Sequence, residues 1–265
     1  MQLDFEVFPN GETRVKGEQL QKYMAGVNIV QLKYENDSDL IKLMFVKSYL
    51  DEYNVRSSLT ITYLPYSRMD RVEGDSVFTL KYVANFINNL NFGTVTIIEP
   101  HSDVSSALIN KCRTFFPTFK LLDKVVAEIG FNKEKDYLFY PDSTAMRRYG
   151  KVQGYKQLYA NKKRDFKTGR ITDLQLSEDV DLLGAKIIMQ DDLCSYGGTF
   201  LLSAEKLKER GASEIYLIVG HCEESIFKGK IPESNLMERV YTTNSIISES
   251  KHEKVKIYSI TGDEI

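Results

Sequence analysis

The stretch from Lys186 to Gly211 constrains this chain more than any other. Lys186-Ile187-Ile188-Met189-Gln190 is a short apolar run of the kind that forms a strand buried on both faces. Two adjacent carboxylates, Asp191 and Asp192, follow at its C-terminal end. Leu193-Cys194-Ser195-Tyr196 then leads into Gly197, Gly198 and Thr199. Phe200 to Arg210 places apolar residues at helical spacing, and Gly211 closes that helix. In open α/β sheets, ligands bind at the carboxyl ends of strands. Glycines at such an end let the backbone come close to a phosphate. The helix start adds unpaired N–H groups and the positive end of its dipole. Thr199 is expected to cap the helix and to offer its hydroxyl. Carboxylates beside a phosphate suit vicinal hydroxyls or a magnesium-bound sugar. An acidic strand end with a capping glycine turn would explain a lone Gly-Gly-Thr. The full order of strand, aspartate pair, glycines and helix points instead to a loop that binds a ribose phosphate.

The rest of the chain repeats the strand-then-helix rhythm. Expected strands are Val27 to Leu32, Leu59 to Leu64, Val95 to Ile98, Tyr137 to Tyr140 and Ile215 to Val219. Expected helices are Asp39 to Tyr53, Leu80 to Leu90 and Val104 to Lys111. Continuous apolar strands alternating with amphipathic helices predict an α/β fold with parallel sheets covered on both faces. The two halves look like variations on one plan, without a strict repeat, and residues 1–120 and 121–265 are the expected domains. Tyr155 to Asp173 is polar and rich in Lys and Arg, which reads as a long hairpin or a mobile loop.

Composition narrows the partners. A net charge of -2 gives no global attraction to nucleic acid or to an acidic membrane. No apolar run approaches a membrane span, and the acidic N-terminus lacks the order of a signal peptide, so a cytoplasmic protein is expected. Cys112, Cys194 and Cys222 are odd in number and far apart, which predicts reduced thiols rather than a disulfide framework or a zinc site.

The 191–199 loop resembles the phosphoribosyl-pyrophosphate (PRPP) loop of type I phosphoribosyltransferases and of ribose-phosphate pyrophosphokinases. Further segments, in order, resemble the pyrophosphokinase (PRPP synthetase) family. They are Phe8-Pro9-Asn10-Gly11-Glu12, Tyr66-Ser67-Arg68-Met69-Asp70-Arg71, Glu99-Pro100-His101-Ser102, Pro141 to Arg148, Asn161-Lys162-Lys163-Arg164 and Thr242 to Ile246. The resemblance covers nearly the whole chain. It implies a divergent, short form with two similar phosphoribosyltransferase type I-like domains, each a mainly parallel sheet flanked by helices.

The same resemblance implies transfer of diphosphate from Mg-ATP to the C1 hydroxyl of ribose 5-phosphate, giving PRPP and AMP. By matching position, Phe8, Asn10, Glu12, Arg68, Asp70 and His101 would bind ATP. His101 and Asp142 would serve Mg²⁺. Lys162 and Arg164 would be catalytic. Asp191, Asp192, Ser195, Tyr196, Gly197, Gly198 and Thr199 would bind ribose 5-phosphate. A homo-oligomer with ATP sites near subunit contacts is implied too. The sequence departs from the family at Asn10, Met69, Ser143-Thr144 and Ser195-Tyr196. It also opens almost on the Phe8 segment and stops soon after Ile260, which is expected to alter subunit assembly. Two alternatives stand beside the enzyme: a non-catalytic PRPP-synthetase-associated regulatory protein, and a PRPP-using phosphoribosyltransferase.

Overall fold

The computed structural model describes residues 5–22, 24, 28–164 and 171–260; the side chains of 162–164 and 171–173 lie outside that description. The chain divides into two compact units, Met1–Phe115 and Phe116–Ile265.

The first unit begins with an antiparallel ribbon, β1 (Phe5–Val7) and β2 (Thr13–Val15), followed by a short helix, α1 (Gly17–Gln21). Its main sheet runs in the order β3 (Asn28–Leu32), β4 (Ser57–Ile61), β5 (Val95–Ile98) and β6 (Cys112–Phe115), parallel throughout. Helices α2 (Ser38–Glu52), α3 (Thr79–Asn89) and α4 (Asp103–Leu108) make the crossovers. Leu59, Ile61 and Ile97 are fully buried in one cluster with Leu50, Leu80 and Ile87. Each such side chain contributes about 1.5–3 kcal/mol of burial.

Two expectations shift here. The β4 ladder ends at Ile61, before Leu64. The helix expected to reach Lys111 stops at Leu108, because Asn88 takes over its end. The Asn88 side chain donates to the Leu108 carbonyl at 2.9 Å and accepts from the Asn110 N–H at 2.8 Å. Lys111 then turns at φ 53° into β6, a strand that apolar periodicity did not signal.

The second unit opens on α5 (Pro117–Glu128), which packs against two strands of this unit's own sheet. The break between units therefore precedes α5 rather than falling at residue 120. The sheet combines β7 (Tyr137–Tyr140), β8 (Lys156–Arg164), β9 (Ile171–Leu176), β10 (Lys186–Cys194), β11 (Glu214–Cys222), β12 (Arg239–Thr243) and β13 (Val255–Tyr258). Its order is β13-β12-β11-β10-β7-β8-β9, parallel except for the β8–β9 hairpin that the basic segment forms. Helix α6 (Ser143–Tyr149) follows β7, α7 (Gly198–Glu209) follows β10, and a 3-10 turn (Glu224–Lys228) follows β11. Central strand β10 is covered on both faces, as its apolar run predicts. Ile187 and Met189 join one cluster, while Ile188 joins another with Leu121, Leu122 and Tyr140.

Glu128, at the end of α5, ties the helix to the sheet edge. It accepts from Lys256 at 2.8 Å and from Arg239, Tyr241 and Tyr258 at 3.2 Å. Burial opposes its ionisation, but Lys256 and the two phenols outweigh that and hold its carboxyl below the usual range. A depressed folded-state pKa contributes stability above the unfolded value and loses it as pH falls. Glu128→Gln is expected to lower stability at pH 7 by under about 1 kcal/mol, since the group is partly exposed. In thermal melts the difference should shrink as pH falls below about 4.3 and vanish once pH is below the depressed folded-state value; a pH-independent deficit would mean packing, not charge.

Among the described residues, no helix is long and apolar enough to cross a membrane.

Candidate functional site

In the second unit the carboxyl ends of β7 and β10 lie side by side and build an acidic site. β10 does not stop before the aspartates. Its pairing with β11 continues to Cys194 opposite Cys222, so Asp191 and Asp192 lie within the strand. The ladder bonds fix both backbones, and the Asp191 and Asp192 carboxyls lie close enough to interact with each other. Asp192 is buried, and its carboxylate lies 3.3 Å from the Arg148 guanidinium. Burial pushes the Asp191 carboxyl well above the usual range, and the charges of Asp192 and Asp142 add to that. Asp142 follows β7 as the N-cap of α6, accepting from the Thr144 and Ala145 N–H groups at 3.0 Å. Asp142 and Asp192 thus crowd Asp191, and the Arg148 guanidinium of α6 pairs with Asp192.

The turn after β10 is built around glycine. Gly197, not Thr199, is the N-cap of α7, at φ 81°, and Thr199 lies inside the first helical turn. The left-handed turn starts the helix at Gly198, and this displaces the cap expected from the sequence. Gly197 is packed: a Cβ there would come within 2.2 Å of Ile231. Gly198 is the opposite case, exposed and with nothing within 4 Å of an added Cβ. The α7 N-terminus is therefore open to a ligand at Gly198.

A brace that sequence reading missed holds this loop from behind. The Ser225 hydroxyl donates to Glu223 at 3.2 Å, so Ser195 donates to Ser225 at 2.9 Å. The Ser195 proton is thereby used within the protein. Gly229, just after the 3-10 turn, lies against the Tyr196 backbone, and a Cβ there would stand 2.2 Å from the Tyr196 carbonyl oxygen. Nothing in the sequence around Gly229 marks it. The Tyr196 ring is 60% exposed. His221 is buried and shares a 2.7 Å hydrogen bond with Ser245, so it belongs to the core. Cys194 and Cys222 are free thiols, fully buried in the apolar cluster.

In the first unit, Arg68 and Asp70 follow β4, and His101 follows β5, its neighbour in the sheet. Both connections carry a non-glycine residue at positive φ, Tyr66 at 63° and Glu99 at 42°. Such backbone costs about 1–3 kcal/mol and persists where surrounding contacts enforce it. Here the Tyr66 hydroxyl donates to Asp37, which also accepts from Tyr34 at 2.7 Å. Phe8, Asn10 and Glu12 sit on the exposed tip of the β1–β2 ribbon, where the Asn10 side chain accepts from the Glu12 N–H at 3.2 Å. Lys162 and Arg164 lie on β8, with side chains outside the described residues.

Comparison with known proteins fits this architecture. A family model described as the phosphoribosyl synthetase-associated domain matches residues 172–262. The ribose-phosphate pyrophosphokinase of Sulfurisphaera tokodaii is 26% identical, covering 93% of this chain and 85% of that one. That of Sulfolobus acidocaldarius is 27% identical, covering 98% and 89%. The chain is a divergent relative of the ribose-phosphate pyrophosphokinases. The fold agrees with that kinship: phosphoribosylpyrophosphate synthetase from Mycobacterium smegmatis superposes with a TM-score of 0.77 at 18% identity, covering 98% of this chain and 86% of the other. The pyrophosphokinase-like chain thus has the phosphoribosyltransferase type I-like α/β fold. Its second unit brings together Asp142, Asp191, Asp192 and the open helix start at Gly198. Its first unit gathers Arg68, Asp70 and His101 at one sheet end and carries Phe8, Asn10 and Glu12 on a separate ribbon.

Proposed function

We propose that this chain is a ribose-phosphate diphosphokinase, transferring diphosphate from Mg-ATP to the C1 hydroxyl of ribose 5-phosphate to give PRPP and AMP. The observation that carries the reading is the site on β10. Its buried strand delivers two carboxylates next to a glycine turn whose exposed Gly198 opens the start of α7. In this reading the backbone from Ser195 to Thr199 holds the 5-phosphate, and Asp191 and Asp192 accept hydrogen bonds from the ribose hydroxyls.

The C1 hydroxyl oxygen attacks the β-phosphorus and gives up its proton to solvent, the bond from the β-phosphorus to the α-phosphate oxygen breaks, and AMP leaves with that oxygen. Such a transfer needs in-line positioning and neutralised charge more than covalent help. Lys162, Arg164 and Arg68 supply positive charge along the phosphates. The donors assigned to the metal suit magnesium: Asp142 offers hard oxygens, and His101, a nitrogen donor, suits contact through water. Among the described residues no three His, Cys, Asp or Glu are arranged to hold an ion, which suits a cation carried mainly by substrate phosphates and water. When bound, that ion neutralises phosphate charge. The exposed ribbon tip with Phe8, Asn10 and Glu12 would serve the ATP site of a second copy, making a homo-oligomer the working form. A cytoplasmic location follows from the same substrates.

The test is AMP release that requires ATP, Mg²⁺ and ribose 5-phosphate together; no such release would remove the proposal. Lys162→Ala is expected to lower turnover by about 10³-fold or more, the scale of cationic groups in phosphoryl transfer. Full turnover in that variant would remove Lys162 from the chemistry. A second reading, a non-catalytic regulator of a synthetase, is favoured by the exposed Tyr196 ring inside the cradle and by the synthetase-associated description of the matching family model. Ribose 5-phosphate binding without AMP release, together with altered activity of an added synthetase, would select it.

A further inference from the structure

Arg148 stands out once the charges of the second unit are counted. Three carboxylates, Asp142, Asp191 and Asp192, converge at the ends of β7 and β10. The guanidinium that pairs with Asp192 is itself largely covered, with a side chain 13% exposed against 9% for Asp192. It comes from the last turn of α6, the same two-turn helix that Asp142 caps. That helix packs against β7, β8 and β10, so its two ends cannot move independently. Gly150, directly after it, fits closely: an added Cβ would lie 2.5 Å from the Met146 carbonyl oxygen. Tyr149 is fully buried in the adjoining cluster, and its ring lies 5.7 Å from the Arg148 guanidinium carbon. α6 is therefore a rigid bracket with Asp142 at one end and Arg148 at the other.

We infer that Arg148 is a positioning residue for ribose 5-phosphate: it compensates Asp192 and sets the angle at which that carboxylate accepts from the sugar. The inference rests on the assignment of the β10 loop to ribose 5-phosphate. Without Arg148, Asp192 would be a buried charge beside Asp191 with its ion-pair partner lost, and it would turn away from Asp191. It then no longer presents the same acceptor to the sugar. A lysine would restore the charge but not the planar fork that fixes orientation. ATP, assigned to residues of the first unit, has no such dependence.

The experiment is calorimetric titration of the full chain with ribose 5-phosphate, and separately with Mg-ATP. Arg148→Gln is expected to weaken ribose 5-phosphate binding about 10–100-fold, the range seen when a supporting partner is lost. Arg148→Lys should weaken it by a smaller factor, at least about threefold, because a point charge replaces the fork. Mg-ATP affinity should change less than about twofold in both, since Arg148 is not among the residues assigned to ATP and independent sites do not couple. Should Arg148→Gln fail to fold, the lysine variant decides alone. Equal affinity for ribose 5-phosphate in folded Arg148→Lys, or parallel loss of both ligands, overturns the inference. A wild-type chain that binds ribose 5-phosphate but releases no AMP removes the diphosphokinase reading, and the same titrations still decide Arg148. A wild type that does not bind ribose 5-phosphate overturns both.

Discussion

Gly229→Ala is expected to cripple ribose 5-phosphate binding although residue 229 lies outside every motif. The added Cβ would stand 2.2 Å from the Tyr196 carbonyl oxygen and 3.0 Å from its carbon. Both are backbone atoms, so no side chain can rotate away; the loop itself must shift. Overpacking of this kind costs about 1–3 kcal/mol of stability. A displacement of about 1 Å at a binding loop can cost about a hundredfold in function. The contrast is Gly198→Ala, where an added Cβ meets nothing within 4 Å. That variant should keep or slightly raise its melting temperature while blocking close approach of the phosphate. Melting curves and titration with ribose 5-phosphate check both. Unchanged affinity in Gly229→Ala would mean the brace does not hold the loop. Unchanged affinity in Gly198→Ala would place the phosphate elsewhere.

Asp191→Asn is expected to make the protein more stable and less able to bind. Burial first, then the charges of Asp192 and Asp142, push the Asp191 carboxyl upward. A carboxyl with a raised folded-state pKa binds more protons in the native state than in the unfolded chain. Stability therefore falls as pH rises from the unfolded value through the folded one. Asparagine removes that penalty, so the variant should melt higher than wild type at neutral pH and converge with it below about pH 4. Each kcal/mol recovered should raise the melting temperature by about 2–4 °C in a chain of this size. The cost falls on function: losing a charged acceptor should weaken ribose 5-phosphate about 10–100-fold. A variant less stable at every pH would show that Asp191 is held by favourable contacts rather than repelled.

These two sites show what kind of information a sequence carries. Asp191 was legible because an apolar run ending in paired aspartates and glycines has few other physical uses. Asp142 was marked by the resemblance of its segment, as a residue serving Mg²⁺; its work as the cap of α6 depended on a helix that Ser143 to Tyr149 is too short to announce. α5 was missed although Pro117 marks its start, because its boundary role hid it among connecting residues. β6 was missed because its Cys-Arg-Thr-Phe pattern shows neither alternation nor a continuous apolar run. The expected threonine cap failed for a backbone reason: Gly197 takes a left-handed turn that starts the helix earlier.

By itself, the sequence determined the α/β rhythm, the buried strand of residues 186–190 and the carboxylates and glycines that follow it. Periodicity and residue type are local, and hydrophobic burial reads them directly. Only the tertiary structure decided how far β10 runs, since its last residues are held by pairing with β11. It also decided that Arg148 faces Asp192 and that Gly229 supports Tyr196. Those contacts join residues more than thirty positions apart, and no local pattern encodes the space between them.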